Sequence, residues 1–180
     1  MKISPIFADY LYAFHYDTEE FDEFERLFDC WHDPEYLHNF FTENESDLLG
    51  GFYGTISIKQ AVLETIGEAK RLEKAILALP GTGTKDLDSL FKPLNHGETN
   101  QEEFLKSKAY GDRRKSWLRI YALRIPGASA YVVTGGAIKL TGGMKERDHT
   151  DTELKKMQRC LDFLREQGYN DIEGFKELDL

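Results

Sequence analysis

The sequence predicts an α+β protein, with a mainly helical first half and a β-hairpin second half that is closed by a helix. Two observations predict this class. Apolar residues recur at three- and four-residue spacing through much of residues 17–79, and again after residue 150, which is typical of amphipathic helices. Residues 117–141 instead read as short apolar runs separated by Pro-Gly and Gly-Gly pairs, which are typical of strands joined by tight turns.

The elements predicted in the first half are a strand at 8–16, helices at 17–32, 34–44 and 57–79, and a loop at 47–54. Aromatic residues favour the strand, and apolar periodicity favours the helices. Pro34 marks the start of the second helix because proline suits the first helical turn. Ser57 with Gln60 resembles a capping box at the start of the third helix, and Pro80 ends it.

The elements predicted in the second half are a short helix at 86–91, one or two helical turns at 102–110, strands at 117–125, 130–134 and 137–141, and helices at 151–167 and 171–178. Residues 126–129 form the hairpin turn, and Gly135-Gly136 predicts a bulge. Thr150 with Glu153 is a second capping-box pattern. The sequence thus predicts two units, an acidic and mainly helical extension at 1–83 and an α+β domain at 84–180.

Charge is distributed unevenly along the chain. The net charge is −9, but residues 1–103 carry 21 acidic and 8 basic side chains, whereas residues 104–149 carry 10 basic and 3 acidic side chains. This asymmetry predicts a polyanionic partner for the basic segment. The N-terminus does not have the pattern of a signal peptide, no apolar run reaches the length of a membrane helix, and two cysteines build no disulfide framework. We therefore expect a cytoplasmic protein without a membrane partner.

The basic segment predicts a cationic sheet face. Alternate side chains of a strand share a face, so Arg119 and Tyr121 are expected to point away from the core together with Lys139 of a neighbouring strand. The sheet would bury the opposite face. Further basic groups are predicted on the approach to the sheet and at its edge: Arg113, Arg114, Lys115, Lys145, Arg147 and His149.

These residue types suit phosphodiester chemistry. Lys and Arg hold phosphates and stabilise developing charge, while Tyr, His and a perturbed Lys can transfer the protons that RNA cleavage through its own 2′-hydroxyl requires. Residues 104–149 contain no cluster of carboxylates for Mg²⁺, so neither a metal nor another cofactor is predicted. The alternative is a solvated sheet face, which is the usual role of exposed Lys and Arg on an antiparallel sheet.

The order of motifs in the second half resembles the RelE/ParE toxin superfamily, in particular its phage-derived, HigB-like branch. The resemblance covers about residues 87–167 and rests on LFKPLNH, a polar stretch, SWLRIYALRI, a turn, AYVVTGGAIKLT, and a helix that opens T-x-x-E. It implies a RelE-like fold in the part of the chain from 84 to 180. The acidic first half departs from the family, whose members are usually small and basic throughout.

The resemblance implies a toxin that cleaves mRNA, often on the ribosome, and that a cognate antitoxin neutralises. Arg119 matches the strand arginine that contacts phosphate, and Lys139 matches the basic residue that ends the next strand. Tyr121, Lys145, Arg147 and His149 lie where other members place catalytic or RNA-contacting groups. A non-catalytic module that binds protein or nucleic acid is the alternative. A further hypothesis is that the acidic residues 17–47 cover the basic face in cis.

Overall fold

The computed structural model describes residues 1–7, 9–50, 53–78, 87–95, 103–111, 116–142 and 147–177. The helices in these ranges are α1 Glu23–His32, α2 Pro34–Glu43, α3 Glu45–Leu49, α4 Ile58–Ala78, α5 Asp148–Glu166 and α6 Ile172–Lys176. The strands are β1 Lys2–Phe7, β2 Leu11–His15, β3 Lys92–Pro93, β4 Leu105–Tyr110, β5 Leu118–Arg124 and β6 Tyr131–Ile138, and Leu87–Ser89 form a 3₁₀ turn. The α+β class predicted from the sequence is confirmed.

The strands form one mixed sheet in the order β1-β2-β6-β5-β4-β3. Strand β2 runs parallel to β6, with Leu11–Ala13 beside Tyr131–Val133, and the other neighbouring strands are antiparallel. The hairpin of β5 and β6 is confirmed, as is an irregularity in its register beside Gly135. The parallel pair joins the segment 1–83 to the segment 84–180 within a single sheet.

Helices cover both faces of the sheet. Leu118, Ile120 and Ala122 of β5 pack in one apolar cluster with residues of α1, α2 and α4, whereas Tyr121 and Leu123 pack in a second cluster with α5 and α6. Alternate residues of a strand point to opposite faces, so the sheet lies between the two sets of helices. The expectation of an open face that presents Tyr121 is therefore wrong, because the apolar side of α5 covers it.

Two aspartates cap the first two helices. The Asp22 carboxylate accepts hydrogen bonds from the backbone N–H groups of Phe24 and Glu25 and so caps α1. Asp33 ends α1, because its backbone before Pro34 is extended, with φ −81° and ψ 110°. Its carboxylate caps α2 through the N–H groups of Glu35 and Tyr36. One residue thus ends one helix and starts the next.

Several predicted elements differ from the structure. Helix α1 begins at Glu23 rather than at residue 17, α3 covers part of the loop predicted at 47–54, and the strands predicted at 130–134 and 137–141 form the single strand β6. Residues 105–110 form strand β4 rather than helical turns, because Ser107 and Ala109 face inward at strand spacing and pair with β5. Helix α5 begins at Asp148, so Thr150 and Glu153 do not form a capping box. Instead, the Thr150 hydroxyl lies in the first turn and donates to Arg147 O at 2.9 Å. Strand β1, with Pro5 at the sheet's edge, was not predicted.

Within the described ranges, no helix combines the length and the apolar character that crossing a bilayer requires.

Candidate functional site

A cleft of about 160 Å³ lies where α1, α2 and α5 meet the outer edge of β6. It forms because β2 pairs with β6 only over Tyr131–Val133, so that the later residues of β6 face the helices instead of another strand. Its polar lining comes from Arg26 and Cys30 of α1, Tyr36 of α2, and His149 and Glu153 of α5. Tyr36 is 41% exposed and therefore marks the mouth of the cleft.

Glu153 is the buried carboxyl group of the cleft. Its Oε1 lies 3.4 Å from Lys156 Nζ, and among the described residues its Oε2 has no hydrogen-bond partner. Burial raises the pKa of Glu153, since removing a carboxylate from water favours the protonated form. Nearby Glu23 raises it further, against the opposing effect of Lys156 and Arg26. Glu153 is therefore suited to hold a proton.

The neighbouring cations, Arg26 and Lys156, make shorter contacts with Glu23 than Lys156 makes with Glu153. Arg26 donates to both oxygens of Glu23, at 2.8 and 2.9 Å, and Lys156 Nζ donates to Glu23 Oε2 at 2.7 Å. The side chain of Glu23 is only 2% exposed, so these charge-assisted hydrogen bonds compensate for its loss of contact with water. Glu153 is left with the longer contact to Lys156, which offsets only part of the effect of burial on its pKa.

Gly135 makes room for Glu153. A Cβ atom added at Gly135 would lie 1.9 Å from Glu153 Oε2, so any other residue would displace the carboxyl group. Tyr121 lies opposite Gly135 on β5 and is fully buried. Its hydroxyl has no hydrogen-bond partner among the described residues, and burial raises its pKa. Tyr121 and Glu153 thus each have a buried oxygen without a hydrogen bond to any described residue.

His149 enters the cleft from the first turn of α5. Its Nε2 lies 3.1 Å from Ile138 O, and its ring contacts Phe40 edge-to-face at 5.5 Å between centroids. Because a carbonyl oxygen only accepts, Nε2 must carry the hydrogen of this bond. In the neutral ring the remaining nitrogen, Nδ1, is then the proton acceptor.

The structure brings His149 into the cleft but places the other described residues of the predicted site elsewhere. Arg119 Nη1 donates to Ser116 O and Leu118 O, and its guanidinium lies over the Tyr110 ring at 4.2 Å. Lys139 Nζ donates to Gly142 O.

Arg147 pairs with Asp47 of α3, with Nε at 2.6 Å from Oδ2. Arg113, Arg114, Lys115 and Lys145 lie outside the described residues. The described cations of the predicted site therefore each have an internal partner.

The sequence prediction missed Arg26, Tyr36 and Glu153. A signal for Glu153 existed, because it lies on the apolar stripe of α5 with Met157, Cys160, Leu161 and Leu164, at helical spacing. An acid on such a stripe must be buried. Glu23 gives the same signal on α1, four residues before Leu27. Within the described residues, no group of three or more His, Cys, Asp or Glu side chains is placed to hold a metal ion.

Comparison of the chain with protein-family models, with curated proteins and with solved structures gave no match.

Proposed function

We propose that the protein is a metal-independent endoribonuclease that cuts mRNA as the toxin of a toxin–antitoxin pair, with a RelE-like fold in its second half. The observation that carries the proposal is the cleft, in which His149 and the partly unpartnered carboxyl group of Glu153 lie with Arg26 and Tyr36. A proton acceptor, a proton donor and a cation are the groups that phosphodiester cleavage requires. The resemblance of residues 87–167 to RelE/ParE toxins supports the same reaction class and a cytoplasmic site of action.

The proposed reaction uses the 2′-hydroxyl of the RNA as nucleophile. His149 Nδ1 takes the 2′-hydroxyl proton while the 2′-oxygen forms a bond to phosphorus. The bond from phosphorus to the 5′-oxygen breaks, and protonated Glu153 donates its proton to that oxygen. The products are a 2′,3′-cyclic phosphate and a 5′-hydroxyl, and the Arg26 guanidinium contributes positive charge where the phosphate becomes more negative.

Induced expression in bacteria and incubation of the purified protein with ribosome-bound message test the proposal. The unmodified chain should arrest growth and cut message, leaving cyclic phosphate ends. His149→Ala and Glu153→Gln should each reduce the cleavage rate by about 100-fold or more, since general acid–base groups contribute effects of that size.

Matched controls come from the same helices that line the cleft. His38→Ala on α2 and Glu166→Gln on α5 change exposed residues outside the cleft and should leave cleavage unaltered. Full cleavage by both folded cleft variants would contradict the proposed chemistry. If the control variants lost cleavage activity as well, the effect would not be specific to the cleft, and this result would also contradict the proposed chemistry.

A second candidate is a non-catalytic module that binds protein or nucleic acid. The observation that favours it is the internal pairing of Arg119, Lys139 and Arg147, which leaves these three cations engaged within the chain. A chain that neither arrests growth nor cuts ribosome-bound message, but that retains a captured RNA or protein on purification, would support this function over the first.

A further inference from the structure

A second polar cluster surrounds Asp88, in the 3₁₀ turn that precedes β3. Arg124 at the end of β5 donates from Nε to Oδ1 at 2.9 Å and from Nη2 to Oδ2 at 3.1 Å. Ser129, in the β5–β6 turn, donates to Oδ2 at 2.6 Å, and Tyr131 at the start of β6 donates to Oδ1 at 2.5 Å. Four donor groups from one hairpin end therefore converge on a single carboxylate.

The donors form a cradle that the sheet holds in place, here called the Arg124 cradle and consisting of Arg124, Ser129 and Tyr131. Arg124 and Tyr131 are paired across β5 and β6, and the Tyr131 ring stacks on Phe91 at 4.5 Å. The side chain of Arg124 is 13% exposed, whereas that of Asp88 is 35% exposed. The donors thus belong to the rigid hairpin, and the acceptor lies on the solvent side of them.

The chemistry of the cradle matches a phosphoryl group. A guanidinium fork combined with two hydroxyls is a donor set that binds tetrahedral oxyanions, and the fork binds carboxylate and phosphate by the same bidentate geometry. Burial alone would raise the pKa of Asp88, but the hydrogen bonds from Arg124, Ser129 and Tyr131 outweigh it and hold the pKa at about 2. Asp88 therefore remains an anion throughout the physiological range.

The surroundings of Asp88 add positive charge. Lys92 Nζ donates to the backbone oxygen of Asp88 at 2.8 Å, so a second cation lies beside the cradle. Without the Asp88 carboxylate the cradle would hold an unpaired and mostly buried guanidinium, which is unfavourable until another anion occupies it. The exposed side of Asp88 gives such an anion a path of entry.

We propose that the Arg124 cradle is a binding site for a phosphoryl group and that Asp88 occupies it in cis, so that a phosphate-bearing ligand competes with Asp88. This site is separate from the cleft. Tyr131 and Gly136 are five residues apart on β6, which corresponds to about 17 Å at the rise of a strand. The inference therefore does not depend on the ribonuclease proposal.

Binding of inorganic phosphate to Asp88→Ala tests the inference, measured by calorimetry and by thermal unfolding against chloride at equal ionic strength. The variant should bind phosphate at least roughly tenfold more tightly than the unmodified chain, because an internal occupant lowers apparent affinity by the fraction of the site that is open. Asp88→Ala/Arg124→Gln should lose the gain. A nucleoside monophosphate and a short RNA, used as further ligands, show whether free or polymer-borne phosphate is preferred.

A matched control removes a different Asp–Arg pair. Asp47→Ala removes the carboxylate that pairs with Arg147. Among the described residues no serine or tyrosine hydroxyl donates to Asp47, so this variant should show no phosphate-specific gain. If Asp88→Ala does not fold, Asp88→Asn can replace it, because it keeps the side-chain volume and removes the competing charge. Its phosphate affinity should also increase, but by a smaller factor. A folded variant that responds to phosphate as it does to chloride would overturn the inference.

Discussion

Gly135→Ala should destabilise the protein through contact with Glu153 and through its backbone, whose φ of +159° is rarely adopted by residues that have a side chain. The added Cβ would lie 1.9 Å from Glu153 Oε2, whereas ordinary contact begins at 3.4 Å, so the two groups must separate by about 1.5 Å. The same Cβ would lie 3.1 Å from Lys156 Nζ, which restricts the direction in which the carboxyl group can move. Overpacking of this kind costs about 1–3 kcal/mol of the free energy of unfolding.

Removing the carboxyl group should recover the part of that loss that comes from the clash, and the backbone part should remain. In the double variant Gly135→Ala/Glu153→Ala the atom that clashes is absent, so the two changes should be coupled by roughly 1–2 kcal/mol. Urea unfolding of the unmodified chain, both single variants and the double variant gives this coupling directly. All four free energies should be measured at one pH, because Glu153 titrates.

Gly136→Ala provides the control for this cycle. Its Cβ would lie 2.6 Å from the backbone oxygen of Arg119 and 2.9 Å from Leu27, on the other face of β6 from Glu153. Glu153→Ala should not relieve that clash, so the second cycle should show additive effects. Additivity at Gly135 as well would refute the placement of Glu153 over this glycine.

Three further predictions concern stability. Because burial raises the pKa of Glu153 above its ordinary value of 4.5, its contribution to folding is fully present below that value and is lost as the pH rises through the folded pKa. The urea midpoint of Glu153→Gln should therefore fall less than that of the unmodified chain as the pH is raised from 4.5. Asp88 behaves in the opposite way, since its pKa is lowered from 3.8 to about 2. Its contribution to stability is present above pH 3.8 and is lost as the pH falls toward 2. In Asp88→Asn the unfolding temperature should therefore fall less over this range than in the unmodified chain. Thr65→Val removes the acceptor of the buried Trp117 Nε1–H, 2.9 Å away, and should cost about 1–3 kcal/mol in urea unfolding. In a Trp117→Phe background, which lacks that N–H, the same substitution should cost less.

Helix periodicity made the first half predictable. Helices α2 and α4 lie close to their predicted ranges because each buries an apolar stripe, and Pro34 marks the start of α2 as predicted. Helix α1 ends where predicted but begins only at Glu23, after the cap at Asp22. Local signals of this kind do not depend on the rest of the fold. Gln60 N donates to Ser57 Oγ at 3.2 Å, as the sequence pattern at the start of α4 predicts.

The second face of the sheet was harder to predict because its cover comes from a distant part of the chain. In β5 both alternating sets are apolar, with Tyr121 and Leu123 on one side and Leu118 and Ile120 on the other. Such a strand is typical of a sheet that is buried on both faces. Arg119 near the start of the strand suggested an open face, but its guanidinium reaches the backbone oxygen of Ser116 and the ring of Tyr110 instead.

Short strands carried too little periodicity to be recognised. Strand β4 alternates Lys106 and Lys108 with Ser107 and Ala109, so its inward residues are small and give a weak apolar signal. Its strand conformation depends on pairing with β5, which is information from elsewhere in the chain. The cleft was missed for the same reason, since it joins α1, α2 and α5, and only His149 among its polar residues lay in the segment that charge singled out.

The acidic helices do not cover the face that carries Tyr121, contrary to the hypothesis of cover in cis, because α1 and α2 pack on the opposite side of the sheet and α5 lies over Tyr121. Acidic residues of the first half do meet basic residues of the second, at Glu23 with Lys156 and at Asp47 with Arg147. These contacts accompany a shared core, in which Leu27 and Trp31 of α1 pack with Leu118 and Ile120 of β5. A truncation to residues 84–180 would remove β2 from beside β6 and one whole layer of helices, so its behaviour would report unfolding rather than release of an inhibitor. Any activity of the second half must therefore be sought in the full chain, with single substitutions in the cleft and in the Arg124 cradle.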